Sequence, residues 1–517
     1  MTTLPVTTYS LGEPSEPQPL NRPDRNRPGL PGAATGEPQP VPVALLGVPF
    51  DGLTSTGTLE VIDRMIASGR PHYVATANVD FIVQALGDLE LRRILGDADL
   101  VLCDGTPLVW ASRVLGNPLP ERVAGSDLVP LLLAESERRG WRVFFLGGAA
   151  ESLAQAEAKV RARHPRLQLV GAYSPPFQHL LEMDHDDIRR RVQEARPDIL
   201  LVAFGCPKQE KWISMHFRRL GVPVSIGVGA TIDFLAGTVR RAPVWMQRSG
   251  MEWVFRLGQE PRRLFRRYVT DLWVISRAIL RQGWQLRRRA PLVGSADTAP
   301  TARVLPGLGQ LVCPGDRLDA AHAAVCERLW NDLPGNEVHC LLDLSRLESI
   351  DSTGMGLLLR WQKRVRDRGG QLVLIAPTEP VKRAVKLMRF TEFLPSTPDL
   401  AAARELVTQR QTERSVVNRP EAKGSVRSLG WQGDIVASRA EQILADTLGW
   451  MGSSPGQGTE MEIDLSGVRF IDSTGVGLMV RVRREALERG VQLRFTGPSP
   501  AVRNVLRILR MEAKLLA

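Results

Sequence analysis

The sequence predicts an α/β protein in which a mainly parallel sheet domain is followed by two small α/β domains built alike. Three observations carry this. From Val43 onward, short apolar runs alternate with helix-length segments, the pattern of strands covered on both faces by crossover helices. A Pro/Ala/Gly-rich break follows at 287–301. Beyond it, "LLDLSRLESIDSTGMGLLLRWQKRVRDRGGQLVLIAP" aligns without gaps on "EIDLSGVRFIDSTGVGLMVRVRREALERGVQLRFTGP", 121 positions later, a period of about one small domain.

The elements follow in order. Ten of the 37 prolines fall in the first 42 residues, a composition too poor in apolar surface to offset the entropy of ordering, so 1–41 is predicted to be a disordered tail. The 42–286 domain opens on "VPVALLGVPFD", which reads as a strand ending in a turn. After it "HYVATAN" precedes the helical "VDFIVQALGDLELRRILGDA", "DLVLCDG" precedes "TPLVWASRVLG", and "WRVFFLGG" precedes "AAESLAQAEAKVRARHP". "PDILLVAFG" then precedes "PKQEKWISMHFRRL", and "PVSIGVGAT" closes the set. The repeats are expected at 302–405 and 424–517, joined by a linker at 406–423.

Bulk composition narrows the function classes. With 43% hydrophobic and 24% charged residues the chain is of globular type. No uncharged apolar run reaches membrane-spanning length. The N-terminus has no apolar secretory core, so a cytosolic location is expected. Five cysteines, an odd number without a CxxC pair, support neither a zinc site nor a disulfide framework. The formal charge of +11 is concentrated in 252–289, where ten Arg stand against three acidic residues. A local cationic surface attracts an anionic partner; nucleic acid, anionic lipid and a diphosphate all fit at this level.

In a parallel α/β sheet, chemistry is sought at the C-terminal strand ends. "LVLCDGTPLVW" delivers Asp104 into a turn before a helix, where a carboxylate can serve as general base or simply as a turn or cap residue. Thr76 and Asn78 leave a second strand end, and Lys208, Gln209 and Glu210 a third. Gly147 and Gly148 of "FLGG" open a helix, a ready anion site because glycine permits close backbone approach. The Gly-rich "GVGATIDFLAG" brings backbone amides close to whatever Asp233 faces.

In order, "TANVD", "CDGTPLVW", "ERVAGSDL", "FLGG", "YSPPF", "VAFGCPKQEKW", "GVGATIDFLAG" and "RAPVWMQRSGMEWVFRLGQEPRRLFRRY" resemble the motifs of the WecG/TagA/CpsF glycosyltransferase family, over about 43–275. The resemblance implies a Rossmann-like domain and an inverting transfer of a sugar, N-acetylmannosamine or its uronate, from a UDP donor to a polyprenyl-diphosphate-linked sugar. It implies no cofactor and no metal, the UDP-sugar being substrate. On this chain it makes Asp104 the general base with Thr76 and Asn78 beside it. Gln209 holds the donor or leaving diphosphate, Gly147, Gly148, Lys208 and Glu210 belong to the donor site, and Asp233 contacts the nucleoside. Arg122, Arg256, Arg263 and Arg266 face the acceptor diphosphate. "MDHDD" (183–187) could suggest a metal-binding DxD, but its place before "IRRRVQEARP" favours helix capping.

The Arg-rich stretch interleaves Trp245, Trp253, Phe255, Leu257, Leu264, Phe265, Trp273 and Ile275 with arginines. An amphipathic element of this kind rests on an anionic bilayer, which predicts a peripheral position on the inner face of the cell membrane. The alternative is a core-packed helix with a solvated basic face. Nucleic acid ranks lower, because no nucleic-acid fold accompanies these residues.

Each "IDSTG" follows an apolar strand and opens an apolar-periodic helix, so a capping role accounts for Asp351 and Asp472. The repeats resemble STAS domains of the anti-sigma factor antagonist kind. That resemblance implies phosphorylation at Ser352 and Ser473 and a kinase-like or STAS protein partner. A phosphate of about −1.5 to −2 charges at a helix N-terminus can switch binding without unfolding the domain. A competing reading makes the chain a regulatory scaffold whose first domain is only a platform, and another keeps transfer but changes the UDP-hexose.

Overall fold

The computed structural model describes residues 41–243, 245–246, 251–259, 261–287, 299–305, 308–332, 339–388, 390–391, 394–412, 421–423, 426–436, 439–452 and 460–516. The expected disordered tail and much of both linkers lie outside the described residues.

The first domain begins with β1 (Val43–Leu45), β2 (Val48–Phe50), α1 (Ser55–Ser68), β3 (His72–Ala77), α2 (Val79–Gly87), α3 (Leu89–Asp97), β4 (Leu100–Cys103), α4 (Thr106–Val114) and α5 (Gly125–Arg139). It continues with β5 (Arg142–Gly147), α6 (Ala150–Arg163), β6 (Gln168–Tyr173), α7 (His185–Ala195), β7 (Ile199–Ala203), α8 (Lys208–His216), β8 (Val224–Gly227) and α9 (Thr231–Ala236). Two further helices close it, α10 (Glu252–Gln259) and α11 (Pro261–Arg287).

Six strands form one parallel sheet in the order β4-β3-β8-β7-β5-β6. Strands β4, β7 and β8 are buried at every residue, and two apolar clusters cover the sheet's two faces. This is the expected crossover architecture.

Three local details depart from the expected order. "VPVALLGVPFD" is a separate antiparallel hairpin, because Leu46 and Gly47 take left-handed φ values of 50° and 91° and turn the chain back after three residues. The sheet's sixth strand is β6. The segment expected as one helix after "HYVATAN" is two: Asp88 is extended, ends α2, and caps α3 by accepting from the Leu91 N–H at 3.0 Å.

The first repeat comprises β9 (Thr301–Leu305), β10 (Gly309–Cys313), β11 (Arg317–Leu318), α12 (Ala320–Asp332), β12 (Cys340–Asp343), β13 (Ser349–Ile350), α13 (Ser352–Asp367), β14 (Leu372–Ile375), α14 (Glu379–Leu387), β15 (Ser396–Thr397) and α15 (Leu400–Thr412). Its main sheet runs β15-β14-β12-β10-β9, with only β9 antiparallel. Helix α15 runs past the expected boundary at 405, because Ala403 and Val407 are buried against Leu311, Leu341 and Val373.

The second repeat comprises β16 (Glu421–Lys423), β17 (Val426–Ile435), α16 (Ala440–Gly452), β18 (Glu460–Ile471), α17 (Ser473–Glu488), β19 (Gln492–Thr496), α18 (Pro500–Ile508) and α19 (Glu512–Leu515), with sheet order β16-β17-β18-β19. In both repeats the motif aspartate caps the following helix. Asp351 accepts from Thr353 and Gly354 N–H, both at 2.8 Å, and Asp472 from Gly475 N–H at 2.9 Å.

Candidate active site at the sheet edge

Strands β4, β3, β8, β7 and β5 end side by side, so the turns carrying Asp104, Thr76 and Asn78, Thr231 and Asp233, Gln209, and Gly147 and Gly148 share one edge. Backbone bonds fix the approach. Asp104 N–H donates to Ala77 O at 2.9 Å, joining the ends of β4 and β3, and Val123 N–H donates to Cys103 O at 2.9 Å, bringing the Arg122 loop alongside.

Asp104 is enclosed. Burial pushes its carboxyl up to about 6, against the opposing pull of Arg122 and Arg256, which favour the charged form. A carboxyl poised there can both hold and release a proton near neutrality. Arg122 is itself clamped, its guanidinium bonding Asp127 at 2.5 Å and Glu252 at 3.0 Å. Glu252 belongs to α10, so this ion pair folds the basic C-terminal segment back over the sheet edge. Arg256 follows, 3.4 Å from Glu252 and 4.9 Å above the Phe234 ring of α9.

Thr76 is buried, and its hydroxyl donates to Gly227 O at 2.8 Å, tying β3 to β8. Gly125 at the start of α5 sits against it: a Cβ there would lie 3.5 Å from Thr76 Oγ1 and 3.3 Å from Thr231 Oγ1. Asn78 caps α2, its Oδ1 accepting from Phe81 N–H at 3.3 Å.

Gln209 is almost wholly buried and braces two turns. Its Oε1 accepts from the N–H groups of Gly205 and Gly229, both at 3.1 Å, while its Nε2 donates to Glu210 Oε1 at 2.7 Å. Burial pushes the Glu210 carboxyl up to about 7, although the Gln209 bond favours its charged form. Gly147 and Gly148 have φ values of 99° and 79°, and a Cβ on Gly147 would strike Ala203 O at 2.8 Å, so the turn requires glycine. Helix α6 behind it has no side-chain cap. Lys208 donates to Gln178 O at 2.6 Å between the rings of Phe177 and Phe204. Asp233 lies in the first turn of α9.

Not every expected residue meets this cluster. Arg266 is exposed on α11, whereas Arg256 is half-buried over the Phe234 ring. The Arg263 side chain lies outside the described residues. Asp184 of "MDHDD" caps α7, accepting from Asp187 N–H at 2.9 Å.

The family model for "Glycosyl transferase WecG/TagA/CpsF family" matches residues 43–289. The N-acetylglucosaminyldiphosphoundecaprenol N-acetyl-beta-D-mannosaminyltransferase of Bacillus spizizenii is 31% identical over 211 residues, 40% of this chain and 80% of that protein. The chain belongs to the WecG/TagA/CpsF family. A Staphylococcus aureus protein of the same name is 27% identical over 226 residues, covering 43% of this chain and 87% of its own. The STAS domain model matches 315–395 and 419–517, so the transferase domain is followed by two STAS domains. The solved structure of the unphosphorylated anti-sigma factor antagonist SpoIIAA is 22% identical and covers 19% of this chain and 84% of its own. Its TM-score is 0.17, too low to carry an argument.

The two STAS motifs are not on the surface. Ser352 and Ser473 are fully buried, and both DSTG helices pack against the transferase domain. Pro42, ahead of β1, lies on Gly356, where a Cβ would come within 1.8 Å of its carbonyl oxygen. Gly477, the matching glycine of the second copy, faces Leu181 of the transferase domain at 3.8 Å. Ser473 Oγ donates to Glu90 Oε2 at 2.8 Å.

Asp127, Glu252, Glu90 and Lys211 are the residues that sequence reasoning missed. Asp127 stands in the quoted "ERVAGSDL" and Glu252 in "SGMEWVF". Their signal is an acid flanking the arginines, meaningful only once α10 is known to fold back.

Proposed function

We propose that the protein transfers N-acetylmannosamine, or a closely related sugar, from a UDP donor to a polyprenyl-diphosphate-linked sugar with inversion and without a metal. The half-buried Asp104 carboxyl, poised near 6 beside Arg122 and Arg256, is the observation that carries this reading. In its ionised form Asp104 takes the proton of the acceptor hydroxyl as that oxygen bonds the anomeric carbon and the bond to UDP breaks. Arg122 and Arg256 stabilise diphosphate charge close to that reaction, an electrostatic contribution that grows in a dry site. The glycine turn at 147–148 and the uncapped N-terminus of α6 suit the leaving diphosphate. Gln209 acts by holding the Gly205 and Gly229 turns in place.

The acceptor chemistry comes from the relatives' names, and the membrane reading from α11. Among the described residues no helix is long and apolar enough to cross a membrane. Helix α11 buries Ile275 in the core while Phe265, Val269, Leu272, Trp273 and Leu280 stay exposed. Their spacing sets them along one helix face, flanked by arginines, which supports a peripheral seat on an anionic bilayer.

The test is release of UDP by the purified full chain, in EDTA, with a short polyprenyl-diphosphate-N-acetylglucosamine acceptor and a panel of UDP-sugars. Acceptor-dependent release that Asp104→Asn abolishes is expected. Release unaffected by that substitution would remove Asp104 from the mechanism, and loss of release in EDTA would refute metal independence.

A further inference from the structure

The two STAS domains dock on the transferase domain in different ways. The first shares a core with it. Ala44 of β1 is buried among Val312, Leu342 and Leu357 of the first STAS domain, while its neighbours Val43 and Leu45 belong to the transferase core. Ion pairs flank this seam: Arg360 with Asp51 at 3.2 Å, Lys363 with Asp99 at 2.7 Å, and Arg366 with Asp97. The Asn117 side chain hydrogen-bonds Asp351. A contact continuous with two hydrophobic cores behaves as part of the fold.

The second domain's contact is mostly polar, with Leu181 of the transferase domain packed on its core beside Gly477. The Glu90 carboxylate sits on the N-terminus of α17, accepting from both the Ser473 backbone N–H and its hydroxyl. Lys211 neutralises that carboxylate from the other side, 2.8 Å from Glu90 and 2.8 Å from Asp88. Arg93, one turn along α3, bonds Asp434 at 3.2 Å and lies 4.6 Å over the Phe470 ring. Arg219 pairs with Glu441 at the rim. A cleft of about 840 Å³ runs along this contact, with Asp88, Arg93, Lys211, Lys386 and Arg469 in its walls. Charge-rich contacts between domains separate more readily than contacts continuous with a hydrophobic core.

We propose that the partner read by the DSTG surface of the second STAS domain is the transferase domain of its own chain, through Glu90 on the α17 N-terminus, and that this contact opens and closes while the first STAS domain stays fixed. A carboxylate is the natural occupant of a helix N-terminus. The same geometry makes the contact intolerant of a second negative charge at Ser473. Glu90 lies in the first turn of α3, Arg93 at its middle and Asp97 at its end, so one nine-residue helix touches both STAS domains. Lys211 stands two residues beyond Gln209 on α8, so the docked domain abuts the helix that braces the sheet-edge turns.

Hydrogen exchange on the full chain tests this, together with the radius of gyration in solution. Ser473→Asp places a carboxylate against Glu90; it is expected to speed amide exchange across α3 and the start of α17 at least tenfold and to expand the molecule. Adding Glu90→Gln removes the repulsion and is expected to restore protection. Exchange at α13 stays unchanged in both. Should Ser473→Asp disturb folding, Arg93→Glu reads the same contact from the other side, with Asp434→Arg as its rescue. Unchanged protection of α3 in both Ser473→Asp and Arg93→Glu would overturn the proposal, as would exchange rising equally at α13. None of these readouts depends on transferase activity.

Discussion

Arg122 stands between Asp127 and Glu252, with nitrogen–oxygen distances of 2.5 and 3.0 Å, although Glu252 is 130 residues further along the chain. The pair holds the guanidinium still and fastens α10 over Asp104. Glu252→Gln keeps the shape and weakens one charge-assisted bond, so Arg122 loses orientation rather than charge. A fall in kcat/KM of about tenfold, equivalent to ~1.4 kcal/mol, is expected in steady-state assays, with little change in thermal stability.

Asp104 must be ionised to accept a proton, and its carboxyl is raised to about 6. Activity should therefore fall as pH drops through about 6 and level off above it. Arg122 favours the ionised form, so Arg122→Gln is expected to move the acid limb of the kcat/KM profile to higher pH while lowering its plateau. Asp104→Asn should cost about 10²- to 10⁴-fold in kcat, the usual range for removing a general base. An acid limb unmoved in Arg122→Gln would dissociate the two groups.

The exposed face of α11 predicts lipid binding without chemistry. Phe265 and Trp273 are 60% and 65% exposed, and burying one such side chain is worth about 1.5–3 kcal/mol. Replacing both by Ser should lower partitioning onto phosphatidylglycerol vesicles at least about tenfold in sedimentation assays. Turnover of a short, water-soluble acceptor should be unchanged.

Gly356 and Gly449 separate close approach from helix propensity. A Cβ on Gly356 meets the Pro42 carbonyl, whereas one on Gly449 meets nothing within 4 Å. Gly356→Ala is expected to destabilise by about 1–3 kcal/mol through overpacking. Gly449→Ala, inside α16, should gain about 0.5–1 kcal/mol. Chemical denaturation of the full chain measures both.

How much of this was legible in the sequence depended on whether the signal was local. Strands β3, β4, β5, β7 and β8 announce themselves as apolar runs because they are buried on both faces, and each delivers its site residue where the run stops. Strand β6, "QLVGAY", hides because Gly171 breaks the run; a Cβ there would fall 2.4 Å from the Phe144 ring. The β1–β2 turn was masked by apolar neighbours, though Gly47 was its one visible sign. Asp88 after Gly87 was likewise a readable stop inside what resembles a single helix. The Arg122–Glu252 and Ser473–Glu90 contacts bridge 130 and 383 residues, and no periodicity or spacing encodes a pairing that only the folded chain creates.

The β1 strand has a consequence for biosynthesis. The surface that covers Ala44 is made of residues around 312–357, synthesised about 300 residues later. At translation rates of about 5–20 residues per second, roughly 300 residues amount to some 15–60 s in which that edge has no mate. During that interval the nascent chain leaves the Ala44 face of the β1–β2 hairpin uncovered, an exposed apolar edge of the kind that chaperones hold and that aggregates pair with. Terminating translation before the first STAS domain therefore leaves the transferase domain with an uncovered strand, which ties the yield of the enzyme to the completion of its neighbour.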